Sequence, residues 1–65
     1  MAGTFDRELS RLLRNAGCTF VRSAKGSHKL WWSPIVQKQI TVPQGIVSRH
    51  TANAVLKQAG LPKAF

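Results

Sequence analysis

The apolar residues near the start of the chain constrain the fold most, because they recur at the spacing of a single helix face. They are Phe5, Leu9, Leu12, Leu13 and Ala16. This spacing predicts an amphipathic helix, for which Thr4 is a candidate N-cap and Gly17 suits the left-handed position that ends many helices. An apolar helix face has to pack against another layer of structure, so the fold depends on what the middle of the chain provides.

A second amphipathic helix is predicted near the other end of the chain, where apolar residues follow the same helical spacing. They are Ala52, Val55, Leu56 and Ala59. Ser48 and Thr51 are both candidate N-caps, and Gly60 followed by Pro62 is typical of a helix end. The tail after this helix either frays or is anchored by Phe65.

The residues between the helices predict three strands, at 18–23, 27–33 and 39–42, because they combine β-branched and aromatic residues with bounding turn residues. Short connections favour an antiparallel meander. We therefore predict an α+β fold of one domain spanning residues 1–65, with the order α-β-β-β-α and both helices on one face of the sheet.

The second predicted strand divides its side chains between two faces. One face carries His28, Leu30 and Trp32, and the other carries Lys29, Trp31 and Ser33. Adjacent residues of a strand point to opposite faces, so at least one of the two tryptophans is expected outside the helix-covered core. Two interpretations stay open: both rings are partly buried structural residues, or the outward ring stacks a nucleobase, an interaction worth about 1–3 kcal/mol.

The charge of the chain is strongly unbalanced. Ten Lys and Arg residues stand against two acidic residues in 65, which gives a net charge of +8. Such an excess indicates an anionic partner, most often nucleic acid, with a membrane surface as the other candidate. The sequence contains no apolar run long enough to span a membrane and no apolar core of a signal peptide. We therefore expect a cytoplasmic protein that does not associate with a membrane. An arginine stripe at Arg7, Arg11 and Arg14 is either a solvated face or a phosphate contact.

The shortage of ligands for metal ions excludes several kinds of enzyme. Asp6 and Glu8 are the only side-chain carboxylates, too few for a two-metal nuclease or a glycosidase carboxylate pair. Cys18, His28 and His50 lack the spacing of a zinc site, and Cys18 is expected to be a small core residue. We therefore expect no metal and no cofactor, and any catalysis would be acid–base chemistry.

The tetrapeptide Gly26-Ser27-His28-Lys29 is the candidate chemical centre. Gly26 can adopt backbone angles that are closed to other residues, and Ser27 offers a hydroxyl and a backbone N–H. The imidazole of His28 changes its charge near neutral pH, and Lys29 adds a fixed cation beside it.

Several motifs together resemble the HicA (YcfA-like) toxins, small mRNA interferases with a double-stranded-RNA-binding-domain-like fold. The motifs are Asn15-Ala16-Gly17, Val21-Arg22 leading through Lys25 into Gly26-Ser27-His28, Thr41-Val42-Pro43, and the ending Val55-Leu56-Lys57-Gln58-Ala59-Gly60-Leu61. They span most of the chain. The sequence departs from the family pattern at Cys18, where a large aromatic residue is common, at Gln44, where His often follows Pro43, and at His50, where Gly is common.

The resemblance implies that His28 is the catalytic histidine of a toxin that cleaves mRNA, and that a HicB-type antitoxin encoded beside it neutralises it. It also implies that Trp31 points inward, which places His28 and Trp32 on the open face. On this basis, we expect His28 to act as general base or acid in an attack of the RNA 2′-hydroxyl on phosphorus. His50 would supply the second group only if the second helix begins near the second strand.

The other residues expected at the site are RNA and phosphate contacts: Arg22, Lys25, Gly26, Ser27, Lys29 and Trp32. Two competing interpretations remain at this stage. The chain is a non-catalytic RNA-binding module of the same fold, which explains the charge equally well, or it is an inert partner of another protein.

Overall fold

The described residues form two helices and three strands in the order predicted. The computed structural model describes residues 3–26 and 28–65. Its elements are α1 (Asp6–Asn15), β1 (Thr19–Ser23), β2 (His28–Ser33), β3 (Lys38–Pro43) and α2 (Arg49–Gln58). The α+β class and the α-β-β-β-α order are therefore confirmed.

The three strands form one antiparallel sheet in the order β1-β2-β3. Both helices pack on the same face of this sheet and share one apolar core with it. The core residues are Leu9 and Leu13 from α1, Ala52, Val55, Leu56 and Ala59 next to or in α2, and Cys18, Trp31, Ile40, Val42 and Ile46 from the sheet and its connections. No helix of the described residues lies against the opposite face of the sheet, and we call it the open face.

The helices begin and end at the residues that the sequence predicts, except at the start of α1. Gly17 and Gly60 adopt positive φ angles of 94° and 86° after α1 and α2. The Ser48 hydroxyl accepts a hydrogen bond from the His50 backbone N–H at 3.2 Å, so Ser48 is the N-cap of α2. The prediction that Thr4 caps α1 is wrong, because the N-cap is Phe5 and no side chain caps the helix there.

A long-range contact holds the start of α1 in place of a local cap. The Asp6 carboxylate accepts hydrogen bonds from the backbone N–H groups of Gly45 and Ile46, at 2.7 and 2.8 Å. The Phe5 N–H in turn donates to the Ile46 carbonyl at 2.8 Å. These hydrogen bonds connect the loop between β3 and α2 to the start of α1, and the Asp6 side chain is one of the groups that form them.

The tail after α2 is anchored. The Phe65 ring packs edge-to-face on the Phe5 ring, with centroids 4.9 Å apart. The Asn53 side chain accepts hydrogen bonds from the Ala64 and Phe65 N–H groups and donates to the Phe65 carbonyl. The tail is therefore anchored by Phe65 and does not fray, which decides between the two alternatives predicted from the sequence.

Candidate functional site

Strand β2 presents its two tryptophans to different environments. Trp31 is 3% exposed and belongs to the core, whereas Trp32 is 40% exposed on the open face. His28 shares the open face with Trp32, and its side chain is exposed. The expectation that at least one tryptophan lies outside the core is confirmed.

An irregularity in β1 brings Arg22 to the same face as His28. The register pairs Phe20 with Trp31 and then Arg22 with Leu30, so one extra residue lies between the two pairs. Strict alternation would have kept Arg22 on the face of Phe20, but a β-bulge shifts it to the other face. Arg22 is exposed there, directly opposite Leu30 and diagonal to His28. The α-carbons of such a diagonal pair are typically about 7–8 Å apart.

The third strand adds open-face residues that the sequence reasoning missed. Pro43 lies opposite His28, Thr41 opposite Leu30 and Gln39 opposite Trp32. A signal for them existed, because Ile40 and Val42 are apolar at period two and so predict that the residues between them face outward. The open face thus combines an imidazole, a guanidinium, an indole and small polar groups.

The lysines predicted beside His28 are placed differently from each other. Lys29 lies opposite Ser23 and Val42, on the helix-covered face, and is half-buried. Lys25 is exposed in the turn before β2, where Gly26 adopts a positive φ of 72°. The predicted role of Ser27 concerns a residue outside the described part of the chain.

His50 lies in the first turn of α2, which packs on the covered side of the sheet, and its side chain is exposed. Its backbone N–H is bound by the Ser48 cap. The fold therefore assigns the two histidines to different faces. Within residues 3–26 and 28–65, no three His, Cys, Asp or Glu side chains form a group that could hold a metal ion.

Two of the three arginines of the α1 stripe make contacts within the protein. Arg11 forms an ion pair with Glu8, and the Arg14 guanidinium lies 5.7 Å from the centroid of the Trp31 ring, a cation–π distance. Arg7 is exposed. Cys18 is 2% exposed in the core, as expected for a small apolar residue.

The fold and this face define a class: a small, strongly basic α+β domain in a double-stranded-RNA-binding-domain-like arrangement, with a histidine on its open sheet face. Residues 7–61 match the family model described as the HicA toxin of bacterial toxin-antitoxin systems. The match covers most of the chain, and the protein belongs to the HicA toxin family. It is therefore a toxin of the kind that is paired with an antitoxin.

The comparison with curated proteins and the comparison with solved structures each gave no match. No helix in the described part of the chain is long and apolar enough to cross a membrane.

Proposed function

We propose that this toxin is a metal-independent endoribonuclease that cleaves mRNA in the cytoplasm, with His28 as its general acid or base. The observation that carries the proposal is the exposure of His28 on the open face, beside Arg22, in a chain with a net charge of +8. An imidazole there is accessible to a nucleic-acid strand laid across the sheet. The basic surface would attract that strand.

The proposed reaction is transesterification within the RNA. The 2′-hydroxyl loses its proton and attacks the adjacent phosphorus, and the bond between phosphorus and the 5′-oxygen breaks as the new bond forms. A proton is delivered to the leaving 5′-oxygen, so the products are a 2′,3′-cyclic phosphate and a 5′-hydroxyl end. His28 performs one of these two proton transfers.

The charge that develops on the phosphate oxygens requires a cation close to His28. Arg22 suits this role better than Lys29, because Arg22 shares the open face with His28 while Lys29 lies on the covered face. A planar guanidinium also binds two phosphate oxygens at once. Lys25, Gly26 and Ser27 would hold a neighbouring phosphate.

Trp32 is proposed as the base-binding residue of the same surface. Its indole is exposed four residues along β2 from His28, on the same face. An aromatic ring in this position offers a flat surface on which a base of single-stranded RNA can stack without strong sequence preference. RNA bound along β2 would then contact the indole of Trp32, which stacks a base, and the imidazole of His28, which transfers a proton.

The test compares two histidine substitutions on single-stranded RNA in the presence of a chelator. His28→Ala should lower the cleavage rate by about 10²–10⁴-fold, the usual contribution of a general acid or base, while RNA binding is retained. His50→Ala is the matched control and should cleave as the unaltered chain does. A substrate with a 2′-deoxy residue at the cleavage site should remain intact, because the nucleophile is missing.

The second candidate function, a non-catalytic RNA-binding module, is favoured by the basic charge alone. It predicts that the unaltered chain and His28→Ala bind RNA equally and that neither cleaves it. Binding through phosphates would weaken with salt, with a log–log slope of about −0.7 per neutralised phosphate on single strands. Equal cleavage by both proteins would instead remove His28 from the mechanism.

A HicB-type antitoxin is the proposed partner. Family membership in toxin-antitoxin systems supports an antitoxin, and its type is part of the proposal. Induction of the gene in a bacterium should stop growth and degrade mRNA, and co-expression of the neighbouring antitoxin gene should restore growth. Normal growth with intact mRNA would contradict this role.

A further inference from the structure

One row of three side chains crosses the open face at the level of Trp32. The strand register pairs Trp32 with Thr19 of β1 and with Gln39 of β3. Residues directly opposite each other in an antiparallel sheet project to the same side, with Cβ atoms about 4.5–5.5 Å apart. The indole is therefore flanked by a hydroxyl on one side and by a carboxamide on the other.

All three side chains of this row are accessible to a ligand. Thr19 and Gln39 are exposed, and Trp32 is 40% exposed. The pairing around the row is regular, because the irregularity in β1 lies beyond Phe20. Side chains of a regular strand stand roughly perpendicular to the sheet. The row thus forms a flat aromatic surface with a polar group at each of two edges.

This combination suits a nucleobase, and its carboxamide distinguishes one base from the others. Stacking on the indole accepts any base, because every base has a π-face. Selection requires hydrogen bonds to the base edge, which is exposed in single-stranded RNA. Adenine presents an acceptor, N7, beside a donor, the N6 amino group, and a glutamine carboxamide binds both at once. A single hydroxyl donates and accepts at one atom, so Thr19 offers no such paired recognition.

We propose that Gln39 is a specificity-determining residue of the RNA surface, and that it selects adenine as the base stacked on Trp32. This inference rests on the part of the proposed function in which single-stranded RNA binds the open face. It does not depend on catalysis by His28. Trp32 lies four residues from His28, about 13 Å along the strand. The selected adenine therefore belongs to a nucleotide near the cleaved bond and not to the bond itself.

The experiment measures RNA affinity by fluorescence anisotropy, and every protein carries His28→Ala so that the RNA stays intact. The probes are short labelled oligouridines in which one central position holds adenosine, guanosine, cytidine or uridine. The parent protein should bind the adenosine probe at least about fivefold more tightly than the uridine probe, because a bidentate pair to a base edge discriminates by at least this factor.

Gln39→Ala should lower the affinity for the adenosine probe to that for the uridine probe. Its affinity for the uridine probe should change by no more than about twofold, because that binding depends on phosphate contacts and stacking. Gln58→Ala is the matched control: Gln58 is also exposed, but it lies at the end of α2 in the helix layer. This control and Thr19→Val should keep the preference for adenosine, and thermal unfolding verifies the fold of each variant.

Two base analogues test the hydrogen bonds without any change in the protein. In 7-deazaadenosine the N7 acceptor is missing, and in purine riboside the N6 amino group is missing. Each analogue should bind the parent protein more weakly than adenosine does, whereas Gln39→Ala should bind all three alike. If Gln39→Ala proves unfolded, the analogues decide the question.

Different results would overturn this inference and the proposed function. Equal affinity of the parent protein for the adenosine and uridine probes would contradict base selection while leaving the RNA surface intact. No binding to any of the probes would also contradict the proposed function. A preference for adenosine that survives Gln39→Ala but is lost in Thr19→Val would transfer the selection to Thr19. A preference for guanosine or cytidine would exclude adenine as the selected base.

Discussion

The Ser33 hydroxyl donates a hydrogen bond to the backbone carbonyl of Ala59 at 2.8 Å. Ser33 is completely buried at the end of β2, and Ala59 is the C-cap of α2. The last carbonyls of a helix have no partner within the helix. This serine therefore joins the central strand to the end of the second helix and provides a polar partner inside an apolar core.

Ser33→Ala should lower the free energy of unfolding by about 1–3 kcal/mol, because it leaves a buried carbonyl without its donor. Urea unfolding followed by circular dichroism measures the change. Ser23→Ala, at an exposed position at the end of β1, serves as the comparison and should lie within about 0.5 kcal/mol of the unaltered protein. A Ser33 variant as stable as the Ser23 variant would show that the hydrogen bond contributes nothing.

Gly60→Ala should destabilise the protein more than Gly45→Ala does, although both glycines have positive φ angles, 86° and 70°. A left-handed backbone costs a residue with a Cβ about 1–2 kcal/mol at either position. At Gly60 the new Cβ would also lie 2.5 Å from Cγ2 of Ile35, while nothing lies within 4 Å at Gly45. The crowding should add about 1–3 kcal/mol.

Thermal or urea unfolding of the two glycine variants measures this difference directly. Both substitutions keep the backbone N–H, so the hydrogen bond from Gly45 to Asp6 survives. Equal stability of the two variants would mean that the Ile35 side chain moves aside at no cost.

Trp32→Ala should weaken binding of single-stranded RNA by the contribution of one stacked base, about 1–3 kcal/mol. The unfolding curve should change little, because Trp32 is 40% exposed and lies outside the core. Val47→Ala removes an exposed apolar side chain from the loop before α2 and is the control for binding. Unchanged RNA affinity in the Trp32 variant would exclude it from the RNA surface.

Arg22→Ala should lower the cleavage rate by about 10²–10³-fold if its guanidinium stabilises the phosphate in the transition state. Lys29→Ala should have a much smaller effect on the rate, because Lys29 lies on the covered face. Arg22→Lys should recover only part of the activity, since an ammonium cannot bind two phosphate oxygens in the same way. Single-turnover cleavage assays measure all three rates, and a greater loss for Lys29→Ala would reverse the assignment.

The parts of the fold that depend on local signals were predictable from the sequence. Helical apolar spacing located both helices, and glycines placed after them marked where they end. Alternation in β2 separated Trp31 from Trp32, and the family resemblance indicated which of them faces inward. Each of these features is determined within a few residues of chain.

The features that were missed involve residues distant in sequence or a break in regular pairing. The bulge in β1 changes the face of Arg22, and period-two reasoning assumes that no such residue is inserted. Asp6 is the first residue of α1, and its carboxylate accepts hydrogen bonds from backbone N–H groups 39 and 40 positions away, contacts that no local pattern indicates. Thr4 does not cap α1: the N-cap is Phe5, whose N–H donates a hydrogen bond to the carbonyl of Ile46 in the loop between β3 and α2.

The neighbouring tryptophans of β2 give the protein two optical probes in one strand. Trp31, closed off in the core and near Arg14, should report by its fluorescence whether the molecule is folded. Trp32, open to water on the other side of the sheet, should respond to whatever settles on that side. Two single-tryptophan variants, Trp31→Phe and Trp32→Phe, would separate the two signals, so that unfolding and ligand binding are each followed without a label.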